Sequence, residues 1–293
     1  MRNKLSTVRI NSYFGEKPEL QELRRKAHER QVEFWQERGY EVVVYAYRYQ
    51  PEWFIEGVRY ITTPPEQKVL IAAARNILMK DFYESDEDYS FFLDNDAVVY
   101  NGPQHLDGND FFNVFNGLDM DDLKHVDCFA PIDPRQTPFT DFNKKNAHIL
   151  DSNLMFNLSP VLKGTMYCLK NLKKFYGREI YMDDERFPVG QGEIVASEDK
   201  HFASTLLWNQ FGVYELRNLI LKEIVPNDST WLPETMTRGE SVDKNSAYYQ
   251  IMKDEFGIGM IGDRLDYSAI KRKSQKPKQV IVPKNPQEKG FFD

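Results

Sequence analysis

Up to about Gln210 the chain alternates between short apolar runs and segments of helical periodicity, which predicts an α/β sheet covered by helices on both faces. Thr7 to Phe14 reads as the first strand. Pro18 to Arg38 reads as a helix, with Leu20, Leu23, Ala27, Phe34 and Trp35 as its apolar face and Gly39 as its stop. Glu41 to Tyr47 (EVVVYAY) is rich in β-branched and aromatic residues and suits a buried strand, and Val58 to Ile61 follows as a third. Thr63-Pro64-Pro65-Glu66 has the form of a capping box, so a helix is expected from there to Tyr83. Tyr89 to Tyr100, interrupted by polar residues, His125 to Ile132, Ser152 to Leu158 and Val213 to Glu223 read as further strands, and Ser197 to Gln210 as a helix. Beyond Pro226 the pattern weakens. The expected organisation is one large unit over residues 1–230, then a C-terminal extension over 231–293 that ends in a basic tail.

Charge narrows the classes of partner. The chain of 293 residues carries a net charge of −7, which argues against nucleic-acid binding by its body. Residues 264–293 carry eight Lys/Arg against three Asp/Glu, so an anionic partner would meet this segment, through Lys271, Arg272, Lys273, Lys276 and Lys278. The bland alternative is a solvated tail. Cys128 and Cys168 show neither metal-ligand spacing nor a disulfide pattern and are expected to be small core residues. No apolar stretch has the length of a membrane span, and Met1-Arg2-Asn3-Lys4 leads straight into a strand; a soluble, cytoplasmic protein is expected.

Chemistry concentrates where Phe91-Phe92-Leu93 gives way to Asp94-Asn95-Asp96. Residues i and i+2 of an extended chain point the same way, so both carboxylates can lie on one side of a strand end. Two such carboxylates repel unless a cation lies between them, and their hard oxygens suit Mg2+ or Mn2+. An acidic chain produces Asp-x-Asp by chance, as at Asp86-Glu87-Asp88 and Asp119-Met120-Asp121; both of these lie in polar stretches and are expected to be solvated loops. Only Asp94-Asn95-Asp96 follows a buried run.

With FFLDNDAVV the chain resembles glycosyltransferases of the GT-A fold, a Rossmann-like mixed sheet flanked by helices on both faces, whose hallmark is Asp-x-Asp at the end of a central strand. The resemblance implies a nucleotide-sugar donor and a Mn2+ or Mg2+ ion held by Asp96 and Asp94, with Asn95 beside the donor. Ala74-Arg75-Asn76 is similar to a stretch that reaches the donor diphosphate or sugar in several such families, which points to Arg75 and Asn76. Arg75 reads equally well as part of an exposed helical stripe. Ser12, Tyr13, Tyr47 and Arg48 end the first two strands, where the family binds the nucleotide base. Ser197-Glu198-Asp199, after the Gly-rich Pro188-Val189-Gly190-Gln191-Gly192, is similar to the acidic helix start that takes the acceptor proton in inverting members; this implies Asp199, with Glu198 next to it, as catalytic carboxylates. The same residues would cap a helix. The family often uses a later histidine as a further metal ligand, and none follows His201 in this chain, so His201, Asp228 and water all remain open for that place.

The implied activity is metal-dependent transfer of a sugar to an acceptor hydroxyl. The acceptor is open between a glycan and, from a composition similar to that of bacteriophage proteins, hydroxymethylated cytosine in DNA. A metal-dependent nucleotidyltransferase is a rival, but this chain shows no Gly-rich, Arg/Lys-bearing loop after the first strand to cradle a nucleotide triphosphate. A non-catalytic nucleic-acid-binding protein would rest on the tail alone.

Overall fold

The computed structural model describes residues 4–15, 18–101, 111–132, 147–149, 154–158, 166–187, 189–190, 193–194, 198–223, 246–261 and 264–266. The chain begins with β1 (Thr7–Ser12), α1 (Pro18–Gln36), β2 (Glu41–Ala46), β3 (Arg59–Ile61) and α2 (Ile71–Tyr83). Next come β4 (Tyr89–Asp94), β5 (Ala97–Asn101), α3 (Phe111–Gly117) and β6 (Cys128–Ile132). Short strands β7 (Ala147–Ile149) and β8 (Met155–Leu158) precede β9 (Met166–Lys170) and α4 (Leu172–Tyr176). The chain continues through β10 (Val189–Gly190), β11 (Glu193–Ile194), α5 (Glu198–Trp208), β12 (Val213–Glu223), α6 (Ser246–Phe256), β13 (Gly259–Ile261) and β14 (Arg264–Asp266).

Ten strands form one mixed sheet in the order β3-β2-β1-β4-β9-β6-β12-β8-β7, with β5 also paired to β12. β1 runs parallel to both β2 and β4, with Ser12 opposite Ala46 and Asn11 opposite Asp94. Strand order therefore reverses between β1 and β4. In open α/β sheets that reversal opens a crevice at the carboxyl ends of the strands, where ligands bind. Asp94 stands at that edge.

Alternation along β2 divides the core. Val42, Val44 and Ala46 pack with Trp35 of α1 and Phe111, Phe112 and Phe115 of α3 on one face. Val43 and Tyr45 pack on the other with α2, α5 and α6. Period-two side-chain alternation in a strand covered on both sides produces this division. Cys128 and Cys168 are both buried and free, as expected of core residues.

Several expectations need correction. The expected strand Tyr89 to Tyr100 is two strands, broken at Asn95-Asp96. The Gln31 side chain donates to the carbonyls of both Asp94 and Ala97, which pins a turn where a straight strand would continue. The helix expected from Thr63 starts at Ile71. Thr63 Oγ1 pairs with Tyr45 Oη at 2.8 Å rather than capping a helix, and Pro64 to Gln67 closes only a single turn. On α1, Leu23 is exposed, while Arg24, His28 and Gln31 are buried beside Ala27, Val32 and Trp35. Asp86-Glu87-Asp88 is not a solvated loop, because Glu87 and Asp88 are buried. Glu87 accepts from Arg9 Nη1 at 2.8 Å, and Asp88 accepts from the Lys4 amide at 2.8 Å. Asp119 and Asp121 are exposed, as expected. The Gly-rich segment before α5 contains two short strands, β10 and β11, paired antiparallel. Past Pro226, where no element was expected, α6 buries Tyr248, Met252 and Phe256 in the core shared with α5.

Candidate functional site

The site grows from the carboxyl edge of β4. Its last residue, Asp94, is half-buried, and both its carboxylate oxygens accept from Arg75 Nη2, at 3.0 and 3.1 Å. Arg75 lies on α2, which covers this face of the sheet, and is 5% exposed. Arg75 thus faces inward and is not part of an exposed helical stripe. Its other arm, Nη1, donates to Glu198 Oε1 at 2.7 Å. Glu198 opens α5, so one guanidinium joins the end of β4 to the first turn of a helix that starts 123 positions beyond Arg75. A buried cation needs such partners, because an unpaired charge in this setting costs several kcal/mol, on the order of 3–5.

The electrostatics follow from that pairing. Burial pushes Arg75 toward neutrality, but Asp94 and Glu198 outweigh it and hold the guanidinium protonated. Burial raises the Asp94 carboxyl above its ordinary range, against the pull of Arg75. Burial also raises Glu198, and the neighbouring Asp199 adds to that shift. Asp199 is half-buried, and its Oδ1 accepts from the Lys200 amide at 2.7 Å.

On the opposite side α1 presents Arg24, His28 and Gln31, whose spacing of four and three residues places them on one helical face. Gln31 clasps the turn as described. Arg24 Nη1 donates to Asn95 Oδ1 at 3.3 Å and lies 3.9 Å from Asp96 Oδ2. Asn95 Nδ2 in turn donates to the Tyr13 carbonyl at 3.3 Å. The middle residue of Asp94-Asn95-Asp96 is thus a buried bridge between α1 and the segment after β1. Sequence reasoning missed Arg24, Gln31 and Asn11, whose Nδ2 lies 3.5 Å from Asp94 Oδ1. The available signal was three polar residues at helical spacing next to the apolar positions of α1.

Neither ring nitrogen of His28 has a hydrogen-bond partner among the described residues, and burial pushes the imidazole down to about 3. The folded chain keeps His28 neutral while the unfolded chain protonates it below about pH 6.5. Stability from this site is therefore complete above that pH and declines as pH falls toward 3. In denaturant titrations, His28→Phe is expected to gain on the wild type by about 1.4 kcal/mol per pH unit between pH 6.5 and 4.5. A difference between the two proteins that is flat with pH would show that His28 is not the buried neutral group.

The remaining candidates are placed as follows. Ser12 is buried, with its Oγ 2.5 Å from Tyr49 Oη. Tyr13 and Tyr47 meet edge to face at 5.3 Å on the same sheet edge as Asp94. Arg48 follows with φ 53°, and its guanidinium stands over the Tyr47 ring. Asn76 spends its side-chain amide on the Met182 backbone, accepting from its N–H at 2.9 Å and donating to its carbonyl at 2.8 Å. His201 lies three residues after Glu198 on α5, and its Nε2 meets Glu255 of α6 at 3.0 Å and Arg186 at 3.3 Å. Lys271, Arg272, Lys273, Lys276 and Lys278 lie outside the described residues, as do Ser197 and Asp228.

The fit to a divalent cation can be judged from the donor set. Among the described residues the guanidiniums of Arg24 and Arg75 face the four carboxylates of Asp94, Asp96, Glu198 and Asp199. Among the described residues no three His, Cys, Asp or Glu side chains form a cage. Mg2+ and similar hard cations do not require one, since one or two carboxylates plus substrate phosphates and water complete their shell. Asp94 and Asp96 therefore fit such an ion. Among the described residues no helix is long and apolar enough to cross a membrane.

No family model matches the chain, and no curated protein matches its sequence. Among solved structures it is similar to GalNAc-T7 with UDP, GalNAc and Mn2+, at a TM-score of 0.54 and 12% identity, covering 92% of this chain and 54% of that one. The chain thus spans about half the length of that protein. A nucleotide-diphospho-sugar transferase candidate from Desulfovibrio desulfuricans G20 aligns at a TM-score of 0.40 and 8% identity, over 72% of this chain and 79% of its own. Sheet order, helices on both faces and the first of these likenesses together make the fold a GT-A-like, Rossmann-type α/β fold.

Proposed function

We propose that the chain is a metal-dependent glycosyltransferase that moves a sugar from a nucleotide-sugar donor to an acceptor hydroxyl. One observation carries the reading: Asp94 and Asp96, Arg75, and Glu198 with Asp199 converge from three separate elements on the sheet edge where strand order reverses. The solved likeness binds UDP and Mn2+, which supports the choice of donor and metal.

In this reading Asp96 and Asp94 hold Mn2+ or Mg2+, which when bound neutralises charge on the departing nucleoside diphosphate. Tyr13 and Tyr47 offer ring edges and faces to the nucleotide base, and Ser12 and Arg48 flank them. Arg75 fixes the orientation of Asp94 and holds Glu198 against it, so Glu198 serves as a positioning group. Asp199, one residue on and half-buried, accepts the proton of the acceptor hydroxyl. If it does so the anomeric centre inverts; if it only positions the acceptor, a retaining course is open. Residues 1–230 then form the catalytic unit, with α6 bracing α5 from the extension. For the acceptor we retain a glycan or hydroxymethylated cytosine of phage DNA; the composition and the basic tail favour DNA.

The test is to mix the protein with Mn2+ and a panel of nucleotide-sugars, following hydrolysis and thermal stability together. One donor is expected to be hydrolysed and to raise Tm, and both effects should vanish with EDTA. A protein that neither binds nor hydrolyses any donor with either metal overturns the reading. Turnover on hydroxymethylated DNA, with and without residues 264–293, then decides the acceptor.

A further inference from the structure

Asp96 already has a cation beside it. Arg24 is 7% exposed, is carried on the long helix α1, and is held by its bond to Asn95, which is itself anchored on the Tyr13 carbonyl. Its nearest approach to Asp96, 3.9 Å, is too long for a hydrogen bond but short for a Coulombic contact. The same guanidinium acts on Asp94 as well. Arg24 therefore supplies positive charge to the pair while leaving the Asp96 oxygen unbonded to it.

We propose that Arg24 stands in for the divalent cation at Asp96, keeping the affinity for free metal low so that the ion is taken up together with a nucleoside diphosphate. The proposal rests on the metal reading given above and deepens it. A divalent ion arriving alone at Asp96 would be repelled by the fixed guanidinium a few ångströms away. A diphosphate arriving with the ion brings negative charge that offsets both cations. Uptake of metal and nucleotide then becomes mutually dependent, and linkage makes that dependence equal in both directions. A role confined to bracing Asn95 makes a prediction of opposite sign: losing a brace loosens the turn and weakens metal binding, whereas losing a repelling charge strengthens it.

The experiment titrates Mn2+ alone into the full chain and reads the free ion by electron paramagnetic resonance, with thermal unfolding as a check on folding. Arg24→Gln is expected to bind Mn2+ about tenfold more tightly than the wild type. Arg24→Lys keeps the charge and should stay within about threefold of the wild type. Asp96→Asn should bind least. With UDP, GDP or CDP added, whichever nucleotide tightens Mn2+ binding to the wild type should tighten it less in Arg24→Gln. A folded Arg24→Gln that binds Mn2+ no more tightly than the wild type, while Asp96→Asn has lost binding, overturns the role of Arg24 and leaves the metal reading standing. Mn2+ binding that survives unchanged in Asp96→Asn overturns both. Should Arg24→Gln fail to fold, Arg24→Met keeps the apolar stem and carries the same test.

Discussion

Replacing Arg75 by Met is expected to cost about 3–5 kcal/mol of folding stability at neutral pH. The guanidinium is the shared partner of Asp94 and Glu198, and burial has already raised both carboxyls. Methionine fills much of the same volume but leaves both acids without a counter-charge. The loss should depend on pH with a definite sign. In the variant both folded-state pKa values rise further above their unfolded values, so stability is retained below the unfolded pKa and lost as pH rises through the folded one. Denaturant titrations at pH 5 and pH 8 should therefore show a smaller deficit at pH 5. Adding Glu198→Gln to Arg75→Met should recover part of the deficit, because one of the stranded charges is then gone. Arg75→Lys, a single ammonium without the fork, should fall between wild type and Met. A deficit near zero, or one that grows toward low pH, would mean that the pair carries no buried charge.

The parts of this site legible in the sequence were those where burial and polarity collide within a few residues. Phe91-Phe92-Leu93 has to be buried, so the acids that follow have to lie at a sheet edge, and Asp94 does. The same logic separated Asp94-Asn95-Asp96 from the exposed Asp119-Met120-Asp121. It failed at Asp86-Glu87-Asp88 because the cation that allows Glu87 to be buried is Arg9, 78 positions earlier. Long-range compensation of that kind leaves no local trace. Arg24, His28 and Gln31 carried only their helical spacing as a signal, for a related reason. A polar stripe on a helix normally faces water; here the turn made by Asp94 to Ala97 draws Arg24 and Gln31 inward, and His28 packs against the Phe14 and Tyr49 rings. The strand breaks at Asn95-Asp96, the polar residues that interrupt it in the sequence, and Gln31 of α1 clasps the turn they make. Helix α6 did carry its signal, Tyr248, Met252 and Phe256 at intervals of four, closed by Gly257 at φ 63°. The weak pattern on either side of it obscured that spacing.

The two acids of Asp94-Asn95-Asp96 should fail in different ways when made amides. Arg24 stands 3.9 Å from Asp96, beyond hydrogen-bond distance, whereas both oxygens of Asp94 are engaged by Arg75. Asp96→Asn keeps the shape of the side chain, and Arg24 stands 3.9 Å from it, so stability should change by less than about 1 kcal/mol. The rate of donor hydrolysis should nonetheless fall by roughly 10²–10³, since a neutral amide is a poor ligand for a hard cation and the leaving diphosphate loses its counter-charge. Asp94→Asn removes half of what holds Arg75. Glu198 remains as its partner, so the loss of stability should be about 1–3 kcal/mol, smaller than for losing Arg75 itself. Activity should fall with it, because the orientation of the 94–96 turn depends on that bond. The comparison needs hydrolysis rates across a Mn2+ titration and denaturant midpoints for both variants. An Asp96→Asn protein whose rate is untouched at low Mn2+ removes Asp96 from the metal shell. Equal stability losses in the two variants would mean that Arg75 does not distinguish between the two carboxylates, and the division of labour drawn from the geometry would fail with it.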